Sequence, residues 1–186
     1  MITRRSHRGR SSGSEGMASW VEFDRAIPVR KVEARLPHSP GKYAFFIEEV
    51  GRLPKPFVHE AMTRPVPALL YIGKADVSLA QRVWLEECQH RRPGTFFRSV
   101  GAMLGYNSPR GGRNYEFAPI DKQRVVAWIA SNLRVAWQAE VLEQSHRVGE
   151  QALISQFVPL LNLQGNPRKF AELSRLRAVC RAGNST

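Results

Sequence analysis

The stretch ALLYIGKADVSLAQR, residues 68–82, contains both kinds of regular structure from which this chain is built. Residues 68–73 form a short apolar run that ends at a glycine, and this pattern predicts a β-strand. Ser78 and Gln81 then have the S-x-x-Q spacing of a helix capping box, and apolar residues continue to Cys88. The stretch therefore predicts a strand, a short connection and a helix.

Two further strands are expected on either side of this stretch. Residues 42–49 are aromatic and β-branched, and residues 133–138 alternate with Leu133, Val135 and Trp137 on one face. Residues 51–67 contain four prolines, so we expect neither a central strand nor a helix there. Helical patterns occupy the rest of the chain: residues 96–105, Asp121 to about Ile129, Ala139 to Phe157, and a final helix beginning at Asn166-Pro167. The outline is one mixed domain of a few short strands surrounded by helices.

The composition excludes several classes of protein. The chain of 186 residues has a net charge of +12, with 22 arginines and 6 lysines. Guanidinium groups match phosphate oxygens in a bidentate way, so the excess favours a polyanionic partner, most simply nucleic acid, over an incidentally basic surface. The two cysteines, Cys88 and Cys180, are too few for a disulfide-stapled fold or a cysteine zinc cluster, and no H-E-x-x-H motif is present.

The first residues of the chain differ from the rest. Residues 1–16 are rich in Ser, Gly and Arg and poor in apolar residues, so we expect a disordered basic tail. A start codon misplaced upstream of Met17 would explain this segment at least as well as a transit peptide. No secretory h-region and no apolar run of membrane-spanning length is present, and we expect a cytoplasmic protein.

One carboxylate has an unusual position. On a helix, Glu150 lies on the same face as Leu153, Ile154 and Phe157, at the head of an apolar stripe. A desolvated carboxylate needs an arginine, a hydrogen-bond network or a metal ion as partner. The structural alternatives to a functional role are therefore an ion pair with a nearby arginine or a helix face that becomes solvent-exposed at that turn.

Other polar residues become informative through their order along the chain. Gly41-Lys42-Tyr43 heads one strand, and Tyr71-Ile72-Gly73-Lys74-Ala75 ends another. Leu79-x-x-Arg82 follows on a helix, and Glu150-x-x-Leu153-Ile154 precedes Pro159-x-x-Asn162. Over residues 40–163 this series resembles the GIY-YIG nuclease superfamily, with local similarity to the nuclease domain of bacterial excision-repair incision proteins.

The resemblance implies an α+β fold with a small antiparallel, three-stranded sheet flanked by helices. It divides the chain into the tail, a nuclease domain over residues 17–165, and a C-terminal helix over residues 166–186 that packs on the domain. It also implies an endonuclease that hydrolyses phosphodiester bonds in DNA with one divalent metal ion, Mg²⁺ or Mn²⁺. A non-catalytic nucleic-acid-binding domain with the same fold is the alternative.

Roles for five residues follow from the resemblance. Glu150 matches the carboxylate ligand of the metal, and Tyr43 matches the tyrosine proposed as general base for the attacking water. Lys74 and Arg82 would supply positive charge that favours the phenolate of Tyr43. Arg82 would also stabilise charge in the transition state, and Tyr71 would position the phosphate or the water.

The chain departs from the family pattern at several positions. Lys42 stands where an apolar residue usually packs, which is harmless if its side chain points to solvent, and its charge could even contact phosphate. The gap between the two tyrosines is long, which makes residues 51–67 an insertion. Glu86 occupies the position at which some members have a histidine, and we assign no catalytic role to His90.

Four further residues have either a structural role or a role that the sequence leaves open. Asn162 is expected to be structural, capping or bridging the loop after the helix. Arg98, Arg110 and Arg113 could hold DNA phosphates, for which exposed arginines are suited, or they could form a solvated surface.

Overall fold

The structure is a computed structural model that describes residues 21–92, 94–139 and 146–183. The predicted tail of residues 1–16 lies outside the described residues. Within these residues, four strands form one antiparallel sheet: β1 (Ile27–Pro28), β2 (Gly41–Ile47), β3 (Leu69–Ala75) and β4 (Leu133–Ala139). Six helices in the described part of the chain surround it: α1 (Lys55–Met62), α2 (Ala80–Cys88), α3 (Thr95–Met103), α4 (Pro119–Asn132), α5 (His146–Phe157) and α6 (Ala171–Ala182). Short 3₁₀ turns lie at Phe23–Arg25, Val29–Lys31, Glu33–Arg35 and Val50–Arg52.

The sheet has the order β1-β4-β2-β3. All three predicted strands are present, and α+β is the class of the fold. The expected strand number is wrong, because β1 adds a fourth strand by pairing Ile27 with Val135. A strand of two residues that ends in proline has no alternating pattern to recognise, which is why the sequence did not reveal it.

The core lies on both faces of β2, which is buried along its whole length. Tyr43, Phe45 and Ile47 face a large cluster formed with helices α2, α3, α4 and α6. Ala44 and Phe46 face a smaller cluster on the other side, which contains residues of α5. Among the described residues, no helix is long and apolar enough to cross a membrane.

Helix α1 corrects the prediction for the proline-rich segment. Pro54 immediately precedes the helix and Pro56 is its second residue, where the missing N–H is not needed. Pro65 and Pro67 follow the helix end. Because the prolines flank or open the helix rather than interrupt it, they are compatible with its eight residues.

The helix boundaries differ from the predicted ones at three places. Ala139 is the last residue of β4 and does not begin a helix, while residues 140–145 lie outside the described part of the chain. Helix α4 begins at Pro119, ahead of Asp121. The last helix begins at Ala171, because Asn166 makes a turn instead, in which its Oδ1 accepts a hydrogen bond from the N–H of Arg168 at 2.8 Å.

Helix α2 forms where the capping box predicted a helix, but it has i→i+5 hydrogen bonding of the π type. The Ser78 hydroxyl accepts the N–H of Gln81 at 3.2 Å, and the N–H of Gln89 donates to the carbonyl of Trp84. π-type segments are rare and occur frequently at functional sites. The residue pattern does not distinguish this register from that of an α-helix.

Candidate active site

A cavity of about 340 Å³ lies at the outer edge of the sheet, beside β3. Four of the five predicted site residues line it, and the fifth, Tyr43, is fully buried behind it. The polar lining includes Tyr71, Lys74, Asp76, Arg82, Glu86 and Glu150. The cavity therefore gathers acidic, basic and phenolic groups from three elements of the fold.

The edge position of β3 explains how these groups meet. Side chains alternate along a strand, so Tyr71 and Gly73 face the large cluster and Lys74 faces the side of α5. Helix α2 carries Arg82 on the first side and α5 carries Glu150 on the second. Because β3 has no strand beyond it, the cavity extends around its edge and joins the two faces.

Gly73 is required by the tyrosine opposite it. Tyr43 on β2 pairs with Gly73 on β3. A Cβ atom at position 73 would lie 2.5 Å from Cζ and from Oη of Tyr43, closer than real Cβ contacts. The missing side chain therefore leaves the space in which the Tyr43 ring lies across the neighbouring strand.

The hydroxyl of Tyr43 is held between a carboxylate and a guanidinium. It donates a hydrogen bond to Oε1 of Glu87 at 3.3 Å and accepts one from Nε of Arg82 at 3.3 Å. Burial and the charge of Glu87 raise the pKa of Tyr43 well above its ordinary value, and Arg82 opposes this only in part. Arg82 therefore favours the phenolate, but burial and Glu87 outweigh it, and Lys74 pairs with Asp76 at 2.6 Å.

Glu87 is a functional candidate that the sequence analysis missed. Its side chain is fully buried, accepts hydrogen bonds from the Tyr43 hydroxyl and from the N–H of Phe97 at 3.2 Å, and forms an ion pair with Nη2 of Arg82 at 2.9 Å. A Cβ atom at Gly94 would collide with its carboxylate. The signal was available, because Glu87 follows Leu79 and Val83 at steps of four residues, which puts a carboxylate on an apolar helix face.

Arg82 is bound by two carboxylates of its own helix. Nη1 contacts Glu86 at 2.7 Å and Nη2 contacts Glu87 at 2.9 Å. Burial lowers the pKa of Arg82, but Tyr43, Glu87 and Glu86 raise it by more, so the guanidinium stays charged. The wider π-type turn brings both the fourth and the fifth residue after Arg82 against its guanidinium.

Glu150 has a different environment. It is half-buried at the head of the predicted stripe, in which Leu153 and Ile154 are buried. None of the described residues donates a hydrogen bond to its carboxylate or forms an ion pair with it. Burial raises the pKa of Glu150, and the charge of Lys74 opposes this shift. The structure therefore does not support the ion-pair alternative for this carboxylate.

The cavity fits a hard divalent cation. An unpaired carboxylate oxygen suits Mg²⁺, which binds through one or two carboxylates and keeps waters and phosphate oxygens as its other ligands. The described residues contain no cluster of three or more His, Cys, Asp or Glu that could enclose a metal. Glu150 would therefore hold the ion as the carboxylate ligand, leaving positions for water and substrate.

Lys42 does not point to solvent. Its side chain is only 7% exposed rather than directed to solvent. A Cβ atom at Gly149 would lie 2.5 Å from Nζ of Lys42, so the amine packs on the backbone next to Glu150. The alternation that turns Tyr43 toward one face turns Lys42 toward the other, on the side of α5.

Asn162 is structural, as predicted, and it bridges to β3 rather than capping α5. Its Oδ1 accepts the N–H of Ile72 and its Nδ2 donates to the carbonyl of Ile72, both at 2.9 Å. Leu160 and Leu161 donate their N–H groups to the carbonyls of Leu69 and Leu70. The segment after α5 thereby fixes the strand that carries Tyr71 and Gly73.

The remaining candidate residues differ in how far their side chains are buried. Arg98 is only 7% exposed and lies over the ring of Tyr115, so a solvated surface is wrong for this residue. Arg110 and Arg113 are exposed. His90 stacks on Phe97, and burial lowers its pKa to about 4.

The sequence was compared with known families, curated proteins and solved structures. A family model for the GIY-YIG catalytic domain matches residues 41–179. No curated protein and no solved structure matches the chain. The match supports nuclease activity in general and nucleic acid as the class of substrate. Residues 41–179 contain every side chain described above around the cavity.

Proposed function

Because the chain belongs to the GIY-YIG family, we propose that it is a metal-dependent endonuclease that hydrolyses phosphodiester bonds in DNA by a one-metal mechanism. The observation that carries this proposal is Glu150, a half-buried carboxylate without a partner among the described residues. It lines a cavity together with the cations Lys74 and Arg82. Such a site can take a divalent cation and a phosphate group together.

Glu150 holds Mg²⁺ or Mn²⁺ in this proposal. A bound divalent ion polarises the phosphoryl oxygen and offsets negative charge in the transition state. Arg82 supplies a second, permanent positive charge at the cavity wall. Lys74, with a side chain 20% exposed, is available to bind a phosphate oxygen when it leaves Asp76.

The two tyrosines have separate tasks. Burial raises the pKa of Tyr71, so its hydroxyl keeps its proton and can donate a hydrogen bond to the phosphate. Tyr43 takes a proton from the attacking water. Because Tyr43 is fully buried and hydrogen-bonded to Arg82, the guanidinium must move toward the phosphate before water reaches the Tyr43 hydroxyl.

Exposed arginine side chains bind the DNA in this proposal. Arg110 and Arg113 are exposed in the loop between α3 and α4 and can contact backbone phosphates without reading bases. Binding of this kind weakens steeply with salt because counterions are released from DNA.

The test is nicking of supercoiled plasmid by the purified full chain with Mg²⁺ or Mn²⁺. We expect nicked product that disappears with EDTA and with Glu150→Ala. Asp76→Asn is the matched control, because it removes a carboxylate from the same cavity that is already paired with Lys74. An RNA substrate of equal charge, assayed in parallel, tests the preference for DNA.

The outcomes separate the two candidate functions. Metal-dependent nicking that survives Glu150→Ala would contradict the role of Glu150. Salt-sensitive DNA binding without nicking of plasmid, branched or damaged DNA would favour the non-catalytic binding domain.

A further inference from the structure

Behind the cavity, a buried cluster of three side chains lies next to the proposed general base. The Tyr43 hydroxyl donates its proton to Oε1 of Glu87 and accepts a hydrogen bond from Nε of Arg82. One lone pair of the Tyr43 oxygen remains for a further donor, because a phenolic oxygen has two. The hydroxyl can therefore accept a hydrogen bond from water while its own proton stays directed at Glu87.

We propose that Glu87 is the positioning residue of Tyr43 and the acceptor of its proton, so that Tyr43 relays a proton and does not act as a preformed phenolate. This inference rests on the proposed nuclease function. It assigns to Glu87 a task that the resemblance to the family does not assign to any residue of this chain.

The environment of Tyr43 opposes a phenolate. The hydroxyl has no exposure to water, and the nearest carboxylate is already negative. Burial and that carboxylate both raise the pKa of Tyr43. A base that must first ionise would be almost absent at neutral pH.

The relay balances without an additional reactant. The attacking water loses one O–H bond as its oxygen bonds to phosphorus, and its proton passes to the Tyr43 oxygen. The original Tyr43 proton passes to Oε1 of Glu87, so Tyr43 is neutral before and after the step and Glu87 becomes a neutral acid. The bond from phosphorus to the leaving oxygen breaks, and that oxygen takes a proton from solvent. Glu87 then returns its proton through Tyr43 to solvent.

Glu87 is suited to accept a proton at this place. Burial raises the pKa of its carboxyl, which increases its proton affinity, while Arg82 and the N–H of Phe97 oppose this shift in part. The other charged or titratable groups that interact with it are Tyr71 on β3, Glu86 and Cys88 on its own helix, and Arg98 on α3. Of the two phenols near Glu87, Tyr43 is the one whose hydroxyl donates a hydrogen bond to its carboxylate.

Glu86 is a matched control supplied by the chain itself. It is the neighbouring residue, has the same charge and also binds Arg82, but Glu87 and not Glu86 accepts the Tyr43 hydrogen bond. The variants Glu86→Gln and Glu87→Gln each remove one carboxylate from the guanidinium. A difference between them therefore reports the contact with Tyr43.

The experiment measures single-turnover cleavage of plasmid from neutral to alkaline pH. The proteins compared are the wild type, Glu86→Gln, Glu87→Gln, Glu87→Asp, Tyr43→Phe and the double variant Tyr43→Phe/Glu87→Gln. At neutral pH we expect Glu87→Gln to slow cleavage by on the order of 10²-fold or more. Its remaining rate should rise by about tenfold per pH unit, because the phenol must now ionise. The wild type and Glu86→Gln should have no such rise, and Glu87→Asp should restore part of the rate.

The double variant excludes a purely structural role. If Glu87 acts through Tyr43, the double variant is no slower than Tyr43→Phe alone, whereas independent effects multiply. Multiplying effects, or a Glu87→Gln profile with the shape of the wild type, would overturn the relay while metal-dependent cleavage stands. Absence of cleavage by the wild type, or cleavage unaffected by Glu150→Gln, would overturn the proposed function, and an inactive wild type would overturn the relay as well.

Discussion

The two walls of the cavity differ in how their charged side chains are paired. The Arg82 wall consists of Arg82 and Glu86, which line the cavity, and of Tyr43 and Glu87, which lie buried behind them; each of its charged side chains forms an ion pair with one of opposite sign. On the Glu150 wall, formed by Lys74, Asp76 and Glu150, Lys74 and Asp76 pair with each other and Glu150 has no partner among the described residues.

This difference in pairing predicts different effects of substitution on the stability of the protein and on its activity. A buried charge that is paired holds its neighbours in place, and removing one partner costs stability. A half-buried carboxylate without a partner raises the energy of the folded protein until a ligand compensates it. Substitutions on the two walls should therefore affect activity in the same direction and stability in different ways.

The largest effect is expected for Glu150→Gln on the Glu150 wall. Cleavage should fall by at least the ~10²–10³-fold that follows loss of one electrostatic stabiliser. The free energy of unfolding should stay within about 0.5 kcal/mol or rise, because the neutral amide is less costly to bury than the carboxylate. Plasmid cleavage and urea unfolding measure the two quantities, and a clear loss of stability would contradict the contrast between the walls.

Arg82→Ala should damage both properties. Cleavage should fall by ~10²–10³-fold, and the free energy of unfolding should fall by about 3 kcal/mol, because Glu87 is left as a buried carboxylate without its cation. Adding Glu87→Gln should recover part of the stability but none of the activity. Urea unfolding of the single and double variants decides this, and equal stability of the two would show that Glu87 does not depend on Arg82.

A smaller effect is expected for Gly73→Ala, which acts on the Tyr43 ring without changing any charge. The new Cβ would overlap Tyr43, so we expect a loss of about 1–3 kcal/mol, as for overpacking. Cleavage should decrease because the hydroxyl is displaced from Glu87. Gly51→Ala is the control, since no atom lies within 4 Å of the position of its Cβ. If the two variants behave alike in thermal unfolding and in cleavage, the close packing of Tyr43 is not what Gly73 provides.

The smallest effect is expected outside both walls. Replacing Arg110 or Arg113 by alanine should weaken DNA binding and reduce the slope of log affinity against log salt by about 0.9 per lost phosphate contact. Cleavage at saturating DNA should be unchanged, since neither residue lines the cavity. A salt titration of binding checks this, and an unchanged slope would remove these arginines from the DNA interface.

The strands and the Glu150 wall could be predicted because their signals are local. The β2, β3 and β4 segments have apolar or alternating residues over seven positions each, and the stripe of Glu150, Leu153 and Ile154 has helical spacing. The same spacing relates Leu79, Val83 and Glu87. A search for carboxylates on apolar helix faces would therefore have found both acidic groups.

The Arg82 wall could not be predicted in full because it depends on geometry that is not local. The π-type register of α2 brings both Glu86 and Glu87 to Arg82, and sequence spacing does not reveal the register. Whether Tyr43 is an ion or a phenol depends on its burial and on Glu87, which contacts it from another element 44 residues later. The helix at 55–62 was not predicted for a different reason: proline is favourable in the first turn of a helix but disrupts the interior of one.

The bridge between Asn162 and Ile72 has a consequence for the behaviour of the protein at high concentration. An exposed edge strand is a template on which a second copy can add its own strand and begin aggregation. On β3 the outward backbone groups of Leu69, Leu70 and Ile72 are occupied by the segment from Leu160 to Asn162. The opposite edge, β1, has two residues and one of them is Pro28. The segment that positions the active-site strand thus also keeps that strand from self-association.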